Sequence, residues 1–404
     1  MGISLNSFLR KKNSLFLSLL PVIMAYKTPG LEIGLSTFFI IVFFFDMVIY
    51  TLLNFSSRSV KIIWPLFLYL IYVLIRSVGL DALLPVIVLI YVLAFSSGAA
   101  ECSFLRSLIE VISCVASFSL FFQTIVHAIW GVHIPMIDSN LILTSLNKYY
   151  SAINSGYSEV SRMYRPCAFF LEPAHFTQYC IIGLGSSLYR NKKARSILIT
   201  LGVLLTTSGF GFVLTFVVWS WWYVSNNGIH SLQKRVKKII ALVMVVPPLI
   251  FMMSLTSFFG NVISRFITTE SSGNYNAIDG RLFYWNTFVK GLSWDNIFVG
   301  LGADQLPDCY FTGFMRVVYA YGIIGLFLLL LSYILFVIKG KELTRFFSIM
   351  YIGLLFFANL THMINLIFTF GVVLTLYYYD DFFGRSAKKE IFNRMFDLSE
   401  KSSK

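Results

Sequence analysis

The feature that most restricts this chain is a succession of apolar runs, each long enough to cross a bilayer as a helix and each ended by a short polar stretch. Only helices and closed barrels satisfy their backbone groups in hydrocarbon, and a spanning helix takes about twenty residues. Such runs lie near 14–28, 31–53, 60–76, 80–96, 104–130, 168–189, 196–207, 209–224, 238–257, 311–338, 345–360 and 363–380. They predict an all-α polytopic integral membrane protein with about twelve transmembrane helices. With 57% of its 404 residues hydrophobic and only 13% charged, the chain has too little charge for a soluble domain. The start, MGISLNSFLRKKNSLFLSLLPVIMAY, is basic and then apolar without a small-residue cleavage site, and reads as a retained first helix.

One run, Ser196–Val224, is too long for one ordinary span and is either one helix or two broken at Thr207-Ser208-Gly209. Charge decides between them. With two helices, the Lys/Arg clusters at 10–12, 58–61, 106, 190–195, 234–238, 339–345 and 385–404 fall on one side, 23 of the 32 basic residues in all. With one helix, the last three clusters move across. The positive-inside rule therefore predicts two helices and cytoplasmic termini. It also accounts for the net charge of +13 without nucleic acid, because the charges sit in short clusters between apolar runs. Two long external loops follow, 131–167 and 257–310, with a cytoplasmic tail at 382–404. Long ordered loops are where function concentrates. No internal repeat points to an inverted-repeat transporter.

The first loop runs into RPCAFFLEPAHFTQYCIIGL, Arg165–Leu184. Pro173 suits a first helical turn, with Glu172 before it and His175 after it. If the helix begins near Pro166, Glu172 and His175 share a face and Arg165 lies two turns above Glu172. The bland alternative is a helix cap and a packed histidine. Arg162, Arg165, Arg265 and Arg281 are the loop arginines. Their rigid forks suit phosphate, although a single arginine near a helix end is often only a headgroup anchor. Asp279 and Tyr284 flank Arg281 and join them as candidate substrate-binding residues. DGRLFYWNTFVKGL reads as an interfacial amphipathic helix, with Leu282, Trp285, Phe288 and Val289 on one face. There is no Asp-x-Asp, Walker or HExxH motif. Cys102, Cys114, Cys167, Cys180 and Cys309 lack metal-type spacing, so no metal and no cofactor is expected. A Cys167–Cys309 disulfide is not expected either. His362, in NLTHMIN, is a second-rank candidate.

RPCAFFLEPAHFTQY resembles the segment that opens the helix after the large loop of bacterial O-antigen and capsular polysaccharide polymerases of the Wzy type. GRLFYW, NIFVGLGAD and YAYGIIGLFLLLLSY resemble the second loop and next helix that those polymerases share with O-antigen ligases. The resemblance runs over 160–335. It departs in two places: PDCYFTGFMRVVYAYGIIG lacks the histidine usual in ligases, and only Arg281 with Gly291 approaches the arginine–glycine spacing of some polymerases.

The resemblance implies a GT-C-type glycosyltransferase that is metal-independent and inverting. It would polymerise polyprenyl-diphosphate-linked oligosaccharide units at the outer membrane face, among bilayer lipids, beside a flippase and a chain-length regulator. A diphosphate leaving group needs charge neutralisation, which arginines supply, and the acceptor hydroxyl needs a base. Glu172 is the first choice as base with His175 as positioner, and the exchanged roles come second. Two other readings remain: a ligase acting on lipid A-core, and a non-enzymatic flippase or exporter, for which Asp46 and Glu110 are the main mid-helix charges.

Overall fold

The computed structural model describes residues 2–55, 57–77, 82–144, 166–225, 236–238, 240, 244, 285–307, 311–358 and 361–379. Within them the chain is helical and has no strand. The helices are α1 (Gly2–Leu19), α2 (Leu35–Asn54), α3 (Ser57–Ile75), α4 (Leu83–Ser96), α5 (Cys102–Trp130), α6 (Pro173–Tyr189), α7 (Lys193–Leu205), α8 (Gly209–Ser225), the short α9 (Trp294–Val299), α10 (Gly313–Lys339), α11 (Glu342–Phe357) and α12 (Met363–Tyr379). By length and composition α2, α5 and α10 can cross a membrane, and α3, α4, α8 and α12 are shorter apolar helices.

Their polarity is turned inside out. On α5, Val111, Val115, Phe118, Phe122, Ile125 and Ile129 form one exposed stripe, while Glu110, Ser113, Ser117 and Gln123 are buried. On α2 the exposed positions include Phe45, Leu52 and Leu53, and the buried ones include Ser36 and Thr51. Apolar residues outside and small or hydroxylated residues at helix contacts is the pattern of a bundle solvated by lipid. A side chain at Gly183 of α6 would overlap Ser113, and one at Gly202 of α7 would overlap Ser117, so these small residues set how closely both helices approach α5. Helix α10 joins α3 and α11, α1 lies on α5, and α6 contacts α11.

The bundle has two unlike ends. Tight connections at 97–101, 190–192 and 340–341 make a turn end; the segments 20–34, 131–144, 166–172, 300–307, 311–312, 358 and 361–362 make a loop end. Helix α1 begins earlier than the run at 14–28 implied. Pro21 stops it, and Arg10, Asn13 and Ser14 bond to the carbonyls of Ala100, Ala99 and Glu101 at the turn end. The long run does divide: α7 ends at Leu205, Thr207 takes φ 54, and α8 starts at Gly209. The helix expected at 238–257 lies almost wholly outside the described residues, as do the tail after Asp381 and Cys309. Of the amphipathic helix expected after Asp279, the described part is one π-helical turn, Trp285–Val289, with Val289 buried and Trp285 stacked on Phe314.

The glycine-containing stretch after α9 is a structural device. Gly300 and Gly302 have positive φ, and Leu301 and Gly302 donate to the Tyr319 and Ala320 carbonyls of α10 at 2.9 and 3.0 Å. Those carbonyls lose their helical partners because α10 breaks at Gly322 (φ 65, ψ −171). The turn is held from the other side by α3, where Tyr72 donates to the Val299 carbonyl at 2.7 Å and Arg76 to that of Gly300. Irregular backbone at membrane depth persists only when protein satisfies it, and here it is satisfied.

Candidate functional site

The candidate site starts from how 166–172 enters the loop end. The segment is a turn rather than helix: Ala168 takes φ 52, Phe170 N donates to the Cys167 carbonyl, and α6 begins only at Pro173. Gln123 of α5 accepts from Ala168 N at 2.9 Å, and the Tyr26 hydroxyl donates to the Phe169 carbonyl at 3.1 Å. Burial, then the nearby Cys167, pushes the Tyr26 pKa up to about 12, so this donor keeps its proton. Residues 25–27 pair with 141–143 through backbone hydrogen bonds, and Thr144 donates to exposed Glu32 at 2.9 Å. That hydrogen bond first, and Lys27 after it, lower the Glu32 pKa.

A helix beginning near Pro166 would have put Arg165 two turns above Glu172. The actual start at Pro173 removes that geometry, because the chain through 167–171 folds back on Gln123 and Tyr26. Glu172 is the extended residue just before the helix, half-buried, and its carboxylate makes no hydrogen bond or ion pair with a described residue. It occupies the N-cap position through its backbone, where its carbonyl accepts from Phe176 N at 3.1 Å, but its side chain makes no capping hydrogen bond. His175 is in the first turn; its Nδ1 is buried and has no hydrogen-bond partner among the described residues.

His175 lines a small cavity of about 20 Å³ at the loop end of the bundle, between the segment after α1 (Pro21 and Met24), α6, α11 and α12. Gln178, Asn365, Tyr351, Tyr179 and Thr369 are its other polar lining residues, and the buried Tyr351 hydroxyl has no described partner. Such a volume holds one water or one sugar hydroxyl, and not a ring. Gln178 follows His175 by one turn, and Asn365 follows His362 by one turn, so two polar helix edges meet in an apolar bundle.

His362 begins the second edge. Its surface is exposed although protein surrounds it on most sides, as in an open crevice. That surrounding protein first, and the charge of Arg316 second, lower its pKa to about 4, so the ring is neutral at physiological pH. Arg316 is in the first turn of α10, and its guanidinium makes no hydrogen bond or ion pair with a described residue.

Of the residues singled out from sequence, the structure describes Glu172, His175 and His362. Arg162, Arg165, Arg265, Asp279, Arg281 and Tyr284 lie outside the described residues. Sequence reasoning passed over Gln178, Asn365, Tyr351 and Arg316. The one-turn spacing from each histidine was the available signal for the first two. Among the described residues no group of three His, Cys, Asp or Glu side chains gathers as a metal site requires. No known protein family and no curated protein matches the chain.

Chemically, the loop end offers, among the described residues, a carboxylate and a histidine nitrogen without a partner, neutral His362 and an arginine whose guanidinium makes no hydrogen bond. That set can accept a proton and neutralise an anion. If Arg316 receives an anionic group through its fork, Arg316→Lys loses nearly as much activity as Arg316→Gln, because a point charge cannot replace two parallel hydrogen bonds. Full activity of the lysine variant in a membrane assay would make Arg316 a headgroup anchor only.

Proposed function

We propose that the chain is a GT-C-type membrane glycosyltransferase with about twelve spans. It polymerises polyprenyl-diphosphate-linked oligosaccharide units into O-antigen or capsular polysaccharide at the outer face of the cytoplasmic membrane. The observation that carries this reading is the polar crevice of His175, Gln178 and Asn365 at the loop end, with Glu172 at the same helix start and the Arg316–His362 pair beside it. In the reaction, an acceptor hydroxyl oxygen attacks the anomeric carbon of the donor glycan. The bond from that carbon to the diphosphate oxygen breaks, with inversion. The hydroxyl proton passes to Glu172, with His175 holding the oxygen, and polyprenyl diphosphate leaves under the charge of Arg316 and the loop arginines Arg162, Arg165, Arg265 and Arg281. Asp279 and Tyr284 belong to the same substrate wall.

Orientation follows from charge. Arg10, Lys11, Lys12, Arg106, Arg190, Lys192, Lys193, Arg195, Lys339, Lys341 and Arg345 all lie towards the turn end, which supports placing it in the cytoplasm. Reporter fusions after Asn191, Asn226 and Lys401 are expected to read cytoplasmic, and fusions at Ser139 and Asn274 external. An external reading at Asn226 overturns this orientation.

The exporter reading loses its two mid-helix charges. Asp46 is held by Lys12 at 2.5 Å and Glu110 by three cations, so neither marks a pathway along the bundle. The ligase reading gains one observation: a histidine absent from 307–325 is supplied in space by His362, close to Arg316. The purified chain in bilayer discs, given a defined polyprenyl-diphosphate oligosaccharide without added divalent metal, tests both. Growth of the lipid-linked glycan is the expected result. Transfer only to added lipid A-core makes it a ligase, and no transfer to either acceptor overturns glycosyl transfer.

A further inference from the structure

The larger cavity, about 330 Å³, is at the opposite end of the bundle, between α6, α8 and α11, with Leu188, Tyr189, Trp221, Trp222 and Phe346 in its wall. Beside it stands a cluster of cations. Glu110 is fully buried, and its two carboxylate oxygens meet Arg190 at 3.3 Å, Lys192 at 3.2 Å and Arg195 at 3.3 Å. Ser186 donates to it at 2.9 Å. A fourth cation, Arg106, donates through Nε to Ser186 and lies over the Tyr189 ring, 5.4 Å from its centroid. Tyr189 thus belongs to both the cation cluster and the cavity wall.

The charges do not cancel. Four cations face one carboxylate, and that carboxylate is beneath them. Arg190, Lys192 and Arg195 keep 32, 31 and 41% of their side-chain surface exposed, enough to bond a second anion from the other side. Arg195 and Arg190 each spend a single guanidinium nitrogen on Glu110, and the buried NH2 of Arg106 has no described partner. The first turn of α7 starts at this point and adds its positive dipole end. Neutralising Glu110 does not require four cations, and an excess charge at a helix-bundle end beside an apolar cavity suits an anionic amphiphile. Glu342, the one acidic side chain of the cavity wall, comes from a separate helix, α11.

We propose that this corner binds one anionic phospholipid, with its phosphate among Arg106, Arg190, Lys192 and Arg195 and an acyl chain in the Trp221–Trp222 cavity. The site is independent of the glycosyl-transfer reading and needs only the membrane bundle.

The test uses the full chain in bilayer discs containing phosphatidylcholine with either brominated phosphatidylglycerol or brominated phosphatidylcholine. Bromine on the acyl chain quenches nearby tryptophan. Brominated phosphatidylglycerol is expected to quench more strongly, and Trp221→Phe with Trp222→Phe is expected to remove that difference. Each surface cation contributes about a fivefold preference, so Arg190→Gln with Arg195→Gln lowers the relative preference for the anionic lipid roughly thirtyfold. Arg106→Gln leaves all three pairs to Glu110 in place and lowers it about fivefold. It keeps the test open where the double variant does not fold. Equal quenching by both lipids, or an unchanged preference in Arg106→Gln, overturns the site. Loss of the difference on adding inorganic phosphate overturns the lipid as its occupant.

Discussion

Replacing Gly322 by alanine is expected to remove nearly all folded protein from the membrane, although Gly322 touches no proposed reactant. At φ 65 and ψ −171 the backbone is in a region that only glycine occupies readily, at a cost of about 1–3 kcal/mol for other residues. A Cβ there would also overlap the Phe298 carbonyl, and Gly300 is buried reciprocally against Ala320. Neither contact can relax by rotating a side chain, since both sides are backbone. Moving them apart breaks the hydrogen bonds from Leu301 and Gly302 to α10 and leaves carbonyls unsatisfied at membrane depth. Several kcal/mol are at stake against a total stability of about 5–15 kcal/mol. Gly353, inside α11 with open space around it, is the internal control. Gly353→Ala is expected to leave stability unchanged or raise it by up to about 1 kcal/mol. Thermal unfolding of both variants in detergent, read by size-exclusion chromatography, separates these outcomes. A normally folded Gly322→Ala protein would mean that the break in α10 is not needed.

The second large effect is chemical. Glu172→Gln keeps the shape of the side chain and removes its basicity. A positioned base contributes about 10²–10⁴ in rate, so polymer is expected to fall by that factor and cells to display single repeat units. Membrane protein level is expected to stay normal, because the Glu172 carboxylate holds no described partner whose loss would unfold the helix start. His175→Ala is expected to act on the same step by leaving the acceptor hydroxyl without its positioning group. The two losses then do not add, since both serve one proton transfer. Polymer formation at the wild-type rate by the double variant Glu172→Gln, His175→Ala would show that RPCAFFLEPAHFTQY is structural.

The helical, membrane-like class and where most of the described helices run were legible by eye, because the physics is one-dimensional. Backbone groups in hydrocarbon must be satisfied within the same segment, so a spanning helix announces itself as an apolar run. The break expected at Thr207-Ser208-Gly209 was legible because one run was too long for a single span and the placement of the Lys/Arg clusters required two helices. The local pattern leaves the start of α6 open between Pro166 and Pro173, and the fold-back of 167–171 on Gln123 and Tyr26 decided for Pro173.

What the sequence alone determined, then, is the helical membrane class, the position of most helices and the polar start of α6. Only the tertiary structure decided which polar groups meet. It brought Asn365, 190 positions after His175, to the same crevice, and put His362 beside Arg316. It gave Glu110 its three cations, turning a mid-helix charge into an anchor at the bundle end. It also made the glycines of IFVGLGAD the partner of a break in α10, which no local pattern announces. The reason is common to all four. Contacts between helices depend on rotation and crossing, which small residues such as Ser113, Ser117, Gly183 and Gly202 set in three dimensions, and the apolar runs carry no record of that choice.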